Sequence, residues 1–125
     1  MGDLQKYQTK EVLNKVLNAG ETALKVETGG GGITGIADGR KVVAVAATAE
    51  ALAGATTCQR VDITAETDNT GIIVVGGSTA VALLATRQGT PLNAGDSYSL
   101  EIDDLADVFI DATVSGDGVT FTYFT

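Results

Sequence analysis

Histidine and tryptophan are absent from this chain of 125 residues, and cysteine and proline each occur once, as Cys58 and Pro91. Without histidine the chain lacks the commonest general base, the commonest neutral-pH switch and the commonest transition-metal ligand. Most hydrolase mechanisms lose a member, so the sequence reads as non-enzymatic and without a cofactor. The lone cysteine cannot close an internal disulfide, and its apolar, strand-like surroundings predict a small buried thiol. No apolar run approaches the roughly 20 residues of a membrane span. The N-terminus is polar, with Asp3, Gln5, Lys6 and Gln8, which does not resemble a secretory leader, and a soluble chain is expected.

The apolar content is 44%, yet aromatic residues make up only 5%, so the core has to be built from Ala, Val, Leu and Ile. Sixteen glycines against one proline point to many sharp turns between short segments, an all-β pattern more than a helical one. The net charge of −8 is unevenly spread. Residues 1–27 balance four lysines against four acids, whereas Cys58 to Thr125 carries ten acids against Arg60 and Arg87 alone. Such a surface repels phosphate, and nucleic acid is not an expected partner.

Along residues 1–28, Leu4, Tyr7, Val12, Leu13, Val16 and Leu17 fall largely on one helical stripe from Thr9 onward. Thr9 suits an N-cap, Glu11 and Lys15 are in the favoured order, and Asn18-Ala19-Gly20 supplies a stop. A short amphipathic helix is marginal alone in water, so its stripe must dock on its own domain, a second copy or another protein. The four glycines 29–32 read as a flexible joint, leaving 1–28 as an anchoring arm and 33–125 as a β domain.

Asp38-Gly39 predicts a hairpin turn between Ile33–Ile36 and Lys41–Ala47. Further β-like runs cover Cys58–Ala65, Gly71–Val75, Ala80–Thr86, Ser97–Ile102, Asp107–Ala112 and Gly118–Phe124, separated by turn chemistry at the spacing of a sandwich or barrel. Ala46–Ala55 suits either a helical turn or a loose edge. Alternation gives Val61, Ile63 and Ala65 one face, as it does Tyr98, Leu100 and Ile102, then Val108, Ile110 and Ala112, and finally Val119, Phe121 and Tyr123. It puts Asp62, Glu101 and Asp111 on the opposite faces, toward water or a neighbour. The expected fold is mainly β, a small β-sandwich or jelly-roll-like domain preceded by a short N-terminal helix and arm.

Several motifs match only formally. Gly30-x-Gly32-x-x-Gly35 has the spacing of a dinucleotide loop but no helix to receive phosphate, and no Gly-Lys-Ser or Gly-Lys-Thr supplies a P-loop. Glu66, Asp68 and Asn69, and likewise Asp103, Asp104 and Asp107, have the oxygen chemistry of a Ca²⁺ site, but they also suit turns whose side chains bond their own backbone. No metal site is expected. Phe124 ends a strand apolar on both faces, which suits either edge packing or a subunit contact.

The run Leu4-Gln5-Lys6-Tyr7-Gln8-Thr9-Lys10-Glu11-Val12-Leu13-Asn14-Lys15-Val16-Leu17-Asn18, followed by Ala23-Leu24-Lys25-Val26, resembles the short N-terminal modules of tailed-bacteriophage virion proteins. Thr57-Cys58-Gln59-Arg60-Val61, Asp68-Asn69-Thr70-Gly71, Val74-Val75-Gly76-Gly77-Ser78 and Leu92-Asn93-Ala94-Gly95-Asp96-Ser97 are similar to segments of small phage β domains in head-decoration, head-fibre and tail-associated proteins. The resemblance implies a non-enzymatic virion structural protein, assembled in the host cytoplasm, oligomeric, and decorating or cementing the capsid through its arm. The implied partner is the major capsid protein or another virion protein, and the partner-binding residues are Leu4, Tyr7, Val12, Leu13, Val16, Leu17 and Phe124. The alternative is a tail-associated adhesin or carbohydrate-binding module.

Overall fold

The computed structural model describes residues 32–125; the helical stripe Leu4 to Leu17 and the glycines 29–31 lie outside the described residues. Thr34–Thr125 stands as one unit. Its eight strands are β1 (Ile36–Val42), β2 (Glu50–Ala51), β3 (Arg60–Ala65), β4 (Ile73–Gly76), β5 (Thr90–Leu92), β6 (Ser97–Leu100), β7 (Phe109–Ala112) and β8 (Gly118–Phe124). They form two four-stranded sheets, one in the order β1-β8-β3-β6 and the other β2-β7-β4-β5. Every pairing is antiparallel.

The alternation read from the sequence accounts for the core. Val61, Ile63 and Ala65 of β3 and Val119 and Phe121 of β8 point inward from the first sheet, and Ile73, Val75, Ile110 and Ala112 meet them from the second in one buried cluster. Tyr98, Leu100, Ile102 and Tyr123 pack against its margin. Each buried Val or Ile contributes on the order of 1.5–3 kcal/mol, so many small side chains replace the missing large aromatics.

The second sheet is covered on its other face as well. Val74, between Ile73 and Val75, points away from the main core and packs with Ala80, Ala82 and Ile72. The uninterrupted apolar run Ile73-Val74-Val75 is therefore a strand buried on both sides. The cover is the connection from β4 to β5, which turns through a bridge between Val81 and Gln88 and a 3₁₀ turn at Leu84–Thr86.

Four sequence expectations are corrected. Asp38-Gly39 is not a turn but the middle of β1, where Gly39 faces Phe121 of β8. A Cβ at Gly39 would lie 2.5 Å from Phe121 Cζ, so the glycine marks a close approach by a ring and not a chain reversal. The predicted run to Ala47 ends at Val42, and Ala47 itself has φ 70°, which interrupts extended backbone. Ala80–Thr86 is part of the covering connection and not a strand, because Ala80 and Ala82 bury on Val74 without a ladder of their own. Asp111 does not face water: it is 1% exposed beneath that connection. Within Ala46–Ala55 the loose edge prevails, as β2 pairs with β7. One strand escaped the sequence reading, β5, because it contains Pro91; the strand lies at the sheet edge, where a missing N–H is tolerated.

Candidate functional site

Two concave regions of the described unit are candidates for the site. The first is a cleft of about 330 Å³ whose walls include Val75 of β4, Tyr98 and Leu100 of β6, Ile102 and Val108. It lies where the margin of the core comes to the surface beside the edge strands β5 and β6. Gly76, Gly77 and Gly89 form part of its rim, and Asp107 adds a carboxylate to a lining that is otherwise mostly apolar. Gly89 is required there. Its φ is +114°, and a Cβ would approach Val74 Cγ1 to 2.5 Å and the Val75 carbonyl oxygen to 2.8 Å.

The connection that leaves this rim at Gly77 and returns at Gly89 is firmly held at its base. The buried Asp111 accepts the Ala82 N–H through Oδ2 at 2.8 Å and its neighbour Ala112 N–H through Oδ1 at 2.8 Å. Arg87 Nε donates to the Ala82 carbonyl at 2.9 Å, and Val81 and Gln88 exchange two backbone bonds of 3.0 and 2.9 Å. At its tip Leu83 and Leu84 remain 55% and 76% exposed.

The second hollow, about 500 Å³ and more open, lies on the outer face of the first sheet and is lined by Arg40, Thr64, Glu66, Thr67, Asp68 and Thr120. Strand alternation sets this face: Arg40, Thr120 and Thr64 are successive neighbours across β1, β8 and β3, and Ser97 of β6 follows Thr64 in the same row. The Arg40 guanidinium grips Glu66 with two bonds, through Nε and, at 3.0 Å, through Nη2. That grip, chiefly the hydrogen bond from Arg40, holds the Glu66 carboxyl below the usual carboxylate range. Thr64 and Ser97 hydroxyls are 2.8 Å apart. Farther along the face, Ser99 donates to Asp62 at 2.7 Å and, with Arg60, lowers its pKa.

Of the acid-rich turns named as oxygen-donor sets, Glu66, Asn69 and Asp104 are engaged in bonds of their own. Asn69 clasps the Gly118 main chain in both directions at 2.9 Å, and the buried Asp117 accepts the N–H groups of Thr70 and Gly71 at 3.1 and 2.8 Å. These side chains tie one turn to another instead of bonding only their own. Asp104 accepts from Thr56 N–H at 2.9 Å and Ala106 N–H at 3.0 Å, and those bonds lower its pKa. Among the described residues no group of three or more His, Cys, Asp or Glu side chains is arranged to hold a metal ion. Cys58 is buried, donates to the Ile102 carbonyl at 3.2 Å, and has its thiol pKa pushed up by burial.

Of the sequence-predicted contact residues, Leu4, Tyr7, Val12, Leu13, Val16 and Leu17 lie outside the described residues. Phe124 is half-buried at the end of β8, opposite the exposed Ile36, with the Arg60 guanidinium 5.1 Å above its ring. The exposed leucine pair and the cleft were missed by sequence reasoning. The adjacent Leu83-Leu84 was the available signal, but the strand assigned to it hid its exposure. No helix among the described residues is long and apolar enough to cross a membrane. Comparisons with family models, curated proteins and solved structures found no match.

Proposed function

We propose that the chain is a non-enzymatic structural protein of a tailed-bacteriophage virion, assembled in the host cytoplasm, that decorates or cements the capsid surface. Residues 1–28 act as the arm that anchors it to the major capsid protein or another virion protein, and residues 33–125 form a jelly-roll β-sandwich outside. The observation that carries this reading beyond the sequence resemblance is the strand order. Eight strands divide as β1-β8-β3-β6 and β2-β7-β4-β5, with the chain passing repeatedly between sheets, and double sheets of this kind recur in viral capsid and lectin domains. A fold carries many functions, so the resemblance of the N-terminal segment supplies the rest of the support.

The mechanism is apolar docking of Leu4, Tyr7, Val12, Leu13, Val16 and Leu17, each contributing on the order of 1.5–3 kcal/mol when fully covered. The acidic domain keeps neighbouring copies soluble through mutual repulsion. Leu13→Asp tests the docking: a folded variant that is missing from purified particles is expected, and incorporation at the normal copy number contradicts it.

A second reading, a tail-associated adhesin or carbohydrate-binding module, draws on the hollow around Arg40. An Arg–carboxylate pair beside rows of Thr and Ser hydroxyls has the donors and acceptors that sugar hydroxyls require. A glycan array probed with the full chain and with Arg40→Ala tests it; binding lost in the variant supports this reading, and no binding by the full chain removes it.

A further inference from the structure

We propose that the Leu83-Leu84 tip of one copy seats in the apolar cleft of a second copy, so that the domain associates with itself through a reciprocal knob-and-cleft contact. This proposal is independent of the capsid reading, since it concerns only two copies of this chain.

The knob is built to be presented. Two adjacent leucines, 55% and 76% exposed, stand on a 3₁₀ turn that buries none of its own residues. The base beneath them is pinned by Asp111, by Arg87 and by the Val81–Gln88 bridge, so little side-chain or loop ordering is left to be done on binding. The receptor is present on the same molecule. The cleft of about 330 Å³ is large enough for an apolar anchor and is walled by Val75, Tyr98, Leu100, Ile102 and Val108. Knob and cleft are neighbours, because Gly77 and Gly89 both begin or end the knob's connection and line the cleft. A projection beside a matching recess is the arrangement that a two-fold axis can satisfy twice, knob to cleft and cleft to knob.

Charge selects a second copy over an unrelated apolar partner. Arg40, Lys41 and Arg60 are each in an ion pair with an acid of their own chain, whereas Arg87, immediately after the knob, is in none among the described residues. Asp107, exposed on the cleft wall, likewise makes no ion pair among the described residues. Seating the knob brings the unpaired charge of Arg87, whose Nε stays bonded to the Ala82 carbonyl, toward the unpaired carboxylate of Asp107 in the other copy. In a chain of net charge −8, such a pairing gives copies that otherwise repel a specific way to meet.

The test is sedimentation equilibrium of the full chain, the wild type compared with Leu84→Asp, Leu13→Asp, Arg87→Asp, Asp107→Arg and the Arg87→Asp/Asp107→Arg pair. Circular dichroism is used to confirm that each is folded. Concentration-dependent self-association of the wild type is expected. Leu84→Asp, which removes a buried leucine from each of the two reciprocal contacts, is expected to weaken it roughly a hundred- to ten-thousandfold. Each single charge reversal is expected to weaken association, and the double reversal to restore it. A wild type that stays monomeric at millimolar concentration overturns the proposal. So does self-association that Leu13→Asp abolishes and Leu84→Asp leaves unchanged, which assigns it to the arm. Failure of the double reversal to associate more tightly than Arg87→Asp alone, which loses the same bond to the Ala82 carbonyl, also overturns it.

Discussion

Replacing Asp111 with asparagine isolates what this buried carboxylate does. It is 1% exposed, and among the described residues no cation partners it: its two oxygens each take one backbone N–H, from Ala82 in the covering connection and from Ala112 in β7, both at 2.8 Å. Asparagine keeps one acceptor and turns an NH₂ toward the other N–H, so one bond to a charged acceptor is replaced by two facing donors. A bond of that kind contributes on the order of 1.5–3 kcal/mol, and stranding the buried N–H adds to the loss. Against this, the variant no longer buries a charge, which offsets part of the penalty. A net loss of about 2 kcal/mol is the expected balance. With an m value of roughly 1.5 kcal/mol/M in urea, it lowers the unfolding midpoint by about 1.3 M at unchanged m. Equilibrium urea unfolding followed by circular dichroism measures the shift, and hydrogen exchange at Ala82 reports the local part. A variant as stable as the wild type or more so refutes the reasoning, because the charge then costs more to bury than its two bonds return.

Gly39→Ala is expected to lower stability by about 1–2 kcal/mol, since its Cβ meets the buried Phe121 ring at 2.5 Å and the gain from a stiffer unfolded chain is smaller; Phe121→Leu should absorb part of that loss in a double-mutant cycle measured by urea unfolding. Acid should destabilise the domain in a defined window. Glu50, Asp62, Glu66 and Asp104 all have folded pKa values below the ordinary carboxylate value, held down chiefly by Lys41, Ser99, Arg40 and the Thr56 N–H respectively. Their stabilisation is complete above the unfolded pKa near 4 and is lost as pH falls through the folded values, so the melting temperature should stay level from about pH 7 to 5 and drop below about pH 4. A melting temperature that rises below pH 4 contradicts the assignment.

Local alternation made much of the core legible. Val61, Ile63 and Ala65, and Val119 with Phe121, face inward as their spacing requires, and β8 occupies Gly118–Phe124 as predicted. The failures share one cause: partners distant in sequence. Gly39 looks like a turn until Phe121 is placed across from it. Asp111 looks solvent-facing until the β4–β5 connection lies over it, and that connection looks like a strand because its alanines are apolar for a different reason. Pro91 argues against a strand anywhere but an edge, and edge position is a property of the assembled sheet. The cleft walls at Tyr98, Leu100, Ile102 and Val108 belong to correctly predicted inward faces, yet their opening to the surface depends on how two sheets meet. Leu13 and the rest of the arm stripe lie outside the described residues.

The proposed role makes this chain a repeated structural part of a virion, held by its arm. Quantitative mass spectrometry of purified phage particles carrying the wild-type chain, set against the major capsid protein as an internal standard, tests it most directly. Many copies per particle in a fixed ratio to the capsid protein are predicted, falling to none with Leu13→Asp; a wild-type chain absent from purified particles contradicts the claim.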